Sequence, residues 1–398
     1  MIDELTGGWC RAGLDASPRW AVVRRDVWGR TVVGIRAQPD TAPLCEVMPA
    51  QLGGRIDAVD VVPHDDGNAA IGGIWRVGGP AGSAVLKIIK PPACRQADAA
   101  AWRASFAPDH WNYWRRELLA HLSGFAGAVY RDCGIAAPQL LEVGQRPDGG
   151  IELWLADVRG TPGVSWTVSH LAHFAWQLGT AQAQWVDRVP DLPWLSRRWL
   201  AQYLDHGPAR GVRNGAAAPW QHPVATVWPA AVRSGLRRLW AERSTVLALA
   251  EATPRTVCHL DVSPTNLVDD GDVSVLLGWW YAGAGGVGQD AADLIVRCAT
   301  DGVVDGALLP DLAAAVTDRY LAGLRDGGWT GAVDPVRRAI AIHGTARYCW
   351  FAPATLGRLI CQGTFRHPRH GAAATEPELR RLEGVATLLA AWAEAALS

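Results

Sequence analysis

Residues 257–280 read VCHLDVSPTNLVDDGDVSVLLGWW, and this stretch constrains the fold more than any other in the chain. His259 and Asp261 are followed, after four intervening residues, by Asn266, with Pro264 between them to turn the loop. A turning loop of that length brings an acid and an amide to face one cleft. Apolar runs on either side of Asp270-Gly271 predict a hairpin directly after it. Two accounts of the strip are open. It is an ordinary loop with a capping Asp and a core His, since three fixed residue types make only a modest motif. Or the three act together, and the hairpin and the upstream elements weigh for that account.

The upstream element that stands out is a lysine. Lys87 and Lys90 are the only lysines among 38 basic residues, the rest being arginine. A site that needs a compact ammonium cannot simply take a guanidinium. Lys87 lies in the predicted strand SAVLKIIK, and Val85 and Ile89 share its face. A buried ammonium between apolar neighbours calls for a partner, because an unpaired one is costly. Glu117, in the predicted helix DHWNYWRRELLAHLSG over residues 109–124, is the candidate. Lys90 sits at the strand end beside Pro91 and Pro92, where a snorkelling lysine is at home. Gly67, Gly72 and Gly73, in GNAAIGG, form either a flap whose N–H groups approach phosphates or a plain hairpin turn. Asp290 and Asp293, at the start of a predicted helix, read as a cap that also braces the loop rather than as metal ligands.

Composition narrows the class. The 398 residues are 49% hydrophobic and 19% charged, enough for a sizeable core. A net charge of −1 gives no electrostatic case for nucleic acid or an anionic membrane as partner. No run approaches the length of a membrane span, and MIDELTGGWCRAG has neither the basic nor the apolar part of a leader. The eight cysteines form no CxxC and no Cys/His zinc spacing. We therefore expect a cytoplasmic protein with free thiols.

Along the chain, residues 1–50 read as an irregular extension with a short strand pair in WAVVRRDVWGRTVVGIRA. Strands are expected at 57–62, 71–77, 83–90 and around QLLEVGQ and GGIELWLADV. After residue 157 the pattern turns helical except for the hairpin. The expected fold class is α+β, with a β-rich lobe over residues 1–157 and a larger helical lobe over 158–398.

H-x-D-x-x-x-x-N is also the spacing of a kinase catalytic loop. With VLLGWWYAGAGGVGQDAADL behind it and HWNYWRRELLAHLSG and IELWLADV before it, the chain resembles the aminoglycoside phosphotransferase-like group over about residues 50–300. These are small-molecule kinases with a bilobal protein-kinase-like fold. The resemblance implies ATP and Mg²⁺ as cofactors and a small-molecule or peptide hydroxyl as acceptor. It implies Asp261 as catalytic base, His259 as a buttress of the loop and Asn266 as a magnesium ligand. It implies Lys87 and Glu117 as the phosphate-side ion pair. Gly72 and Gly73 would lie over the phosphates, and residues 155–158, with Leu155 and Asp157, would meet the adenine. The group reads I-D-W at the end of the hairpin, where this chain has Gly278 before Trp279. Glycine has no side-chain oxygen, so a main metal ligand is missing. The retained Asp261, Asn266, Lys87 and Glu117 favour an ATP-dependent O-phosphotransferase acting on a small-molecule hydroxyl, impaired at Gly278; the alternative is a pseudokinase that binds a nucleotide, a peptide or a partner protein within a biosynthetic complex.

Overall fold

The computed structural model describes residues 22–25, 31–34, 48–64, 68–92, 102–206, 218–362, 364–367 and 371–398. The chain divides into two compact units, Met1–Val47 and Met48–Ser398. In the first, Val22–Arg25 and Thr31–Gly34 pair antiparallel, as the alternation there predicts. The remainder of that extension, and Gly67, lie outside the described residues.

The second unit opens with a five-stranded antiparallel sheet. Its strands Ala58–Val61, Ile71–Gly79, Gly82–Ile89, Leu140–Gln145 and Ile151–Ala156 occur in the spatial order first, second, third, fifth, fourth. Gly82–Ile89 is central, with Lys87 opposite Ile74 on one side and Leu153 on the other. A central strand covered on both faces becomes apolar throughout, which is why Ala84, Leu86, Ile88 and Ile89 are all buried around the lysine. The face that carries Lys87 also carries Ile89, packed with Leu153, Trp114 and Leu118 in a small core of its own.

The expected helix over 109–124 forms only from Arg116 to Leu122. Pro108, His110 and Trp111 instead turn their carbonyls inward onto the Arg116 guanidinium, which accounts for the lost turns. Leu122, the last residue of the helix, is 56% exposed. Gly124 follows the helix with φ of 74°, the left-handed conformation expected of a residue that stops one.

The rest of the unit is mainly helical. Val168–Ala183 crosses Leu309–Asp326 at close range. A Cβ on Gly179 would stand 2.2 Å from the Tyr320 carbonyl oxygen, and one on Gly323 would stand 2.0 Å from that of Trp176, so only glycines allow this approach. The helical run from 230 divides into Ala230–Ala241 and Arg243–Glu251. Arg255–Cys258 pairs with Gly283–Gly286, and between them Leu267–Asp269 pairs with Ser274–Leu276 as the predicted hairpin. Among the described residues no helix is long and apolar enough to cross a membrane.

Candidate active site

Lys87 and Glu117 meet as predicted: the amine donates to Glu117 Oε2, and both side chains are buried. Burial pulls the Lys87 amine below the usual lysine range, and Glu117 and then Asp261 offset part of that shift. The amine also stands 3.3 Å from the centre of the Trp280 ring, a cation–π contact.

The loop from 259 to 266 is built by its neighbours. Asp290 accepts the backbone N–H of His259 at 2.8 Å and that of Leu260 at 2.9 Å. Gln182 donates to the same carboxylate at 2.8 Å. Asp290 thus braces the loop; it does not cap its own helix, whose first residues follow Gly288 without a side-chain cap. The bracing holds Leu260 at φ of 68°, a left-handed conformation rare outside glycine. His259 is fully buried edge-to-face on Trp279, with ring centres 5.0 Å apart, and burial lowers its pKa to about 4. A neutral imidazole that supports the loop fits this setting.

Asp261 Oδ2 accepts from Asn266 Nδ2 at 3.0 Å and from Trp280 Nε1 at 3.2 Å. Its Oδ1 lies 3.7 Å from Arg347 Nη2. Arg347 also donates to the Leu260 carbonyl at 2.8 Å and lies 3.0 Å from Asp293, which accepts the Tyr348 hydroxyl. Asp261, Asn266, Lys87 and Glu117 are therefore joined in one cluster through Trp280.

Gly278 comes to the same corner. Its φ is 76°, and a Cβ built there would stand 3.6 Å from Asn266 Oδ1, ordinary contact distance. A carboxylate at 278 would point at the Asn266 amide, where a metal ion would need both. As it stands the corner offers one neutral amide oxygen. The nearby acid, Asp261, is already engaged by Asn266, Trp280 and Arg347. Among the described residues no group of three or more His, Cys, Asp or Glu could hold a metal ion. These residues do not fit a magnesium centre of the kind the resemblance implies.

The other expected nucleotide residues lie elsewhere in the sheet. Gly72 and Gly73 sit inside the Ile71–Gly79 strand at a bulge, with the Trp75 ring across Gly73. Leu155 is buried opposite Val85. The Asp157 carboxylate accepts from Arg76 at 2.9 Å and Ser83 at 2.7 Å, tying neighbouring strands. Asp269, Asp270 and Asp272 stay at the far end of the hairpin, with Asp269 3.5 Å from His170.

Sequence reasoning missed Trp280, Arg347 and Arg116. Arg116 is fully buried, and its five N–H groups reach five backbone carbonyls, of Pro108, His110, Trp111, Trp194 and Trp280, at 2.7 to 3.2 Å. The signals were a Trp doublet and two arginines before Glu117, neither of which names a distant partner.

Beneath the loop, burial raises Asp293 to about 7 from the ordinary 3.8, while Arg347 and Arg297 oppose the shift and Asp261 adds to it. The native state then binds a proton that the unfolded chain has released. Stability from this group is complete below pH 3.8 and is lost as pH rises toward 7. His259 and the deeply buried His343 act oppositely, an effect that fades over about one pH unit above their ordinary value of 6.5. Between about pH 6.5 and 7.5 we expect urea denaturation to show the wild type losing about 0.7 kcal/mol relative to Asp293→Asn, a difference from which the histidine contributions drop out. Profiles of wild type and Asp293→Asn that run parallel there would show that Asp293 does not titrate in this range.

No family model matches the sequence, and no curated protein matches it. Solved structures do. An amicoumacin kinase in complex with AMP-PNP and Ca²⁺ is 13% identical over 83% of this chain and 87% of its own, with a TM-score of 0.47. The GDP and kanamycin complex of APH(2")-IIia is 14% identical over 85% and 94%, with a TM-score of 0.48. A choline/ethanolamine kinase family protein from Mesorhizobium loti is 14% identical over 86% and 93%, with a TM-score of 0.45. Identity this low bears on the fold alone, and the fold is read from the strands and helices above.

Proposed function

We propose that this chain, an α+β protein with the bilobal protein-kinase-like fold, is a pseudokinase: it keeps the cleft of a kinase, does not transfer a phosphoryl group, and acts as a binding subunit for a partner protein or peptide. The observation that carries this reading is the corner at Gly278. A Cβ built there would stand 3.6 Å from Asn266 Oδ1, and the glycine carries no carboxylate to join that amide in holding a metal ion. Metal charge on the phosphates contributes several kcal/mol to phosphoryl transfer, and each 1.36 kcal/mol is tenfold in rate. Loss of that contribution costs several decades.

A second reading has its own support. The Lys87–Glu117 ion pair and the contact of Asp261 with Asn266 are the parts an ATP-dependent O-phosphotransferase would use on a small-molecule or peptide hydroxyl. In that reading Asp261 would take the proton of the attacking hydroxyl.

The test compares wild type, Gly278→Asp and Asp261→Asn for ATP turnover with Mg²⁺ across hydroxylated small molecules and Ser/Thr peptides. We expect no turnover by the wild type above the Asp261→Asn background. Turnover first appearing in Gly278→Asp would support the proposal directly. Wild-type turnover that Asp261→Asn abolishes would overturn it in favour of the phosphotransferase.

A further inference from the structure

We infer that the Trp280 indole is a built-in occupant of the triphosphate place, joining the sheet to the helical part as a bound nucleotide would in a working kinase. The inference rests on taking this cleft as a kinase cleft, as proposed above. Its own basis is the position of one ring. The face of the indole meets the Lys87 amine, which comes from the central strand. Its N–H meets the Asp261 carboxylate, which comes from the loop of the helical part. The ring thus bridges the cation meant for phosphates and the acid meant for the acceptor hydroxyl.

The space beside it is small. The cavity bounded by Asn68, Lys87, Asn112, Glu117 and Trp280 measures about 10 Å³, room for about one water and far too little for a triphosphate. The backbone behind the ring is fixed as well. Arg116 donates to the Trp280 carbonyl at 3.2 Å. Tyr281 stacks on Trp111 with centres 5.7 Å apart, and its hydroxyl accepts from Asn68 at 3.2 Å. The indole itself is only half-buried, so rotation of this one side chain would free Lys87 without unfolding the loop.

The lysine content makes a direct test available. Lys87 is enclosed and Lys90, the other lysine, is exposed, so each molecule carries its own control. The full chain is acylated with an amine-reactive ester and the two sites are compared by mass spectrometry, with ATP in EDTA and without ATP. In the wild type we expect Lys90 to react, Lys87 to be protected at least about tenfold, and ATP to leave both rates and the melting temperature unchanged. In Trp280→Ala, Lys87 should react at least about tenfold faster, and ATP should protect it again and raise the melting temperature. Trp280→Phe, which keeps a ring over the amine, should protect Lys87 as the wild type does. Trp280→Leu carries the same measurement should the alanine variant fail to fold.

Protection of Lys87 by ATP in the wild type, or no gain in Lys87 reactivity on removing the indole, overturns the inference. The outcome is separable from that of the pseudokinase reading. A wild type that binds ATP without turning it over sinks the plug and leaves the reading intact, whereas Asp261-dependent turnover sinks the reading.

Discussion

Arg116→Met will destabilise the protein by at least about 3–5 kcal/mol, and Arg116→Lys by nearly as much. The guanidinium is fully buried and remains charged at neutral pH, although burial lowers its pKa to about 9. No carboxylate answers it in the contacts above; five backbone carbonyls do. Methionine fills much of the volume but orphans all five oxygens, and each buried unsatisfied group costs about 1–3 kcal/mol. Relief from burying a charge offsets part of this. The carbonyls prevail because they belong to three separate segments that this side chain joins at one point. Lysine restores the charge but has three donors and no planar fork. Denaturant unfolding decides the matter, and a methionine variant within about 1 kcal/mol of the wild type would show that the carbonyls find other partners.

The second large effect is a pair of effects that fail to add. Glu117→Leu leaves the Lys87 ammonium buried without its partner and should cost about 3–5 kcal/mol. Lys87→Met leaves the Glu117 carboxylate in the same position and should cost a similar amount. The double variant, Lys87→Met with Glu117→Leu, should lie within about 1–2 kcal/mol of the wild type, because apolar groups of similar size replace a buried ion pair at little loss. Both side chains stand beside the small apolar core of the sheet, which can accept them. Strict additivity in a double-mutant cycle would mean that the two charges do not depend on each other.

The parts of this site that local sequence encodes were readable, and the parts that depend on distant partners were not. Asp261 and Asn266 lie on one short loop, so their spacing nearly determines their meeting. Lys87 and Glu117 are further apart, yet a buried lysine demands an acid, and the next helix supplied one. Trp280 gave no such sign: a tryptophan after a hairpin is most often core, as Trp279 is. That its neighbour turns its face to a lysine and its N–H to an acid is settled by chain segments far away. Arg347 reaches Asp261 from the helix Val333–Tyr348, with no motif to announce it. The overlong helix at 109–124 failed for the same reason. Apolar spacing favoured continuing it, and Arg116 claimed the carbonyls that its first turns would have used.

The left-handed backbone at Gly278 bears on how reversible the missing carboxylate is. Valine or isoleucine there would force the strand end out of shape, whereas aspartate and asparagine tolerate that conformation better than most side chains. A single exchange therefore sets an acid beside the amide without rebuilding the hairpin. An acid set there would still leave the Trp280 ring against the Lys87 amine, so a change at the corner leaves the surroundings of the lysine as they are.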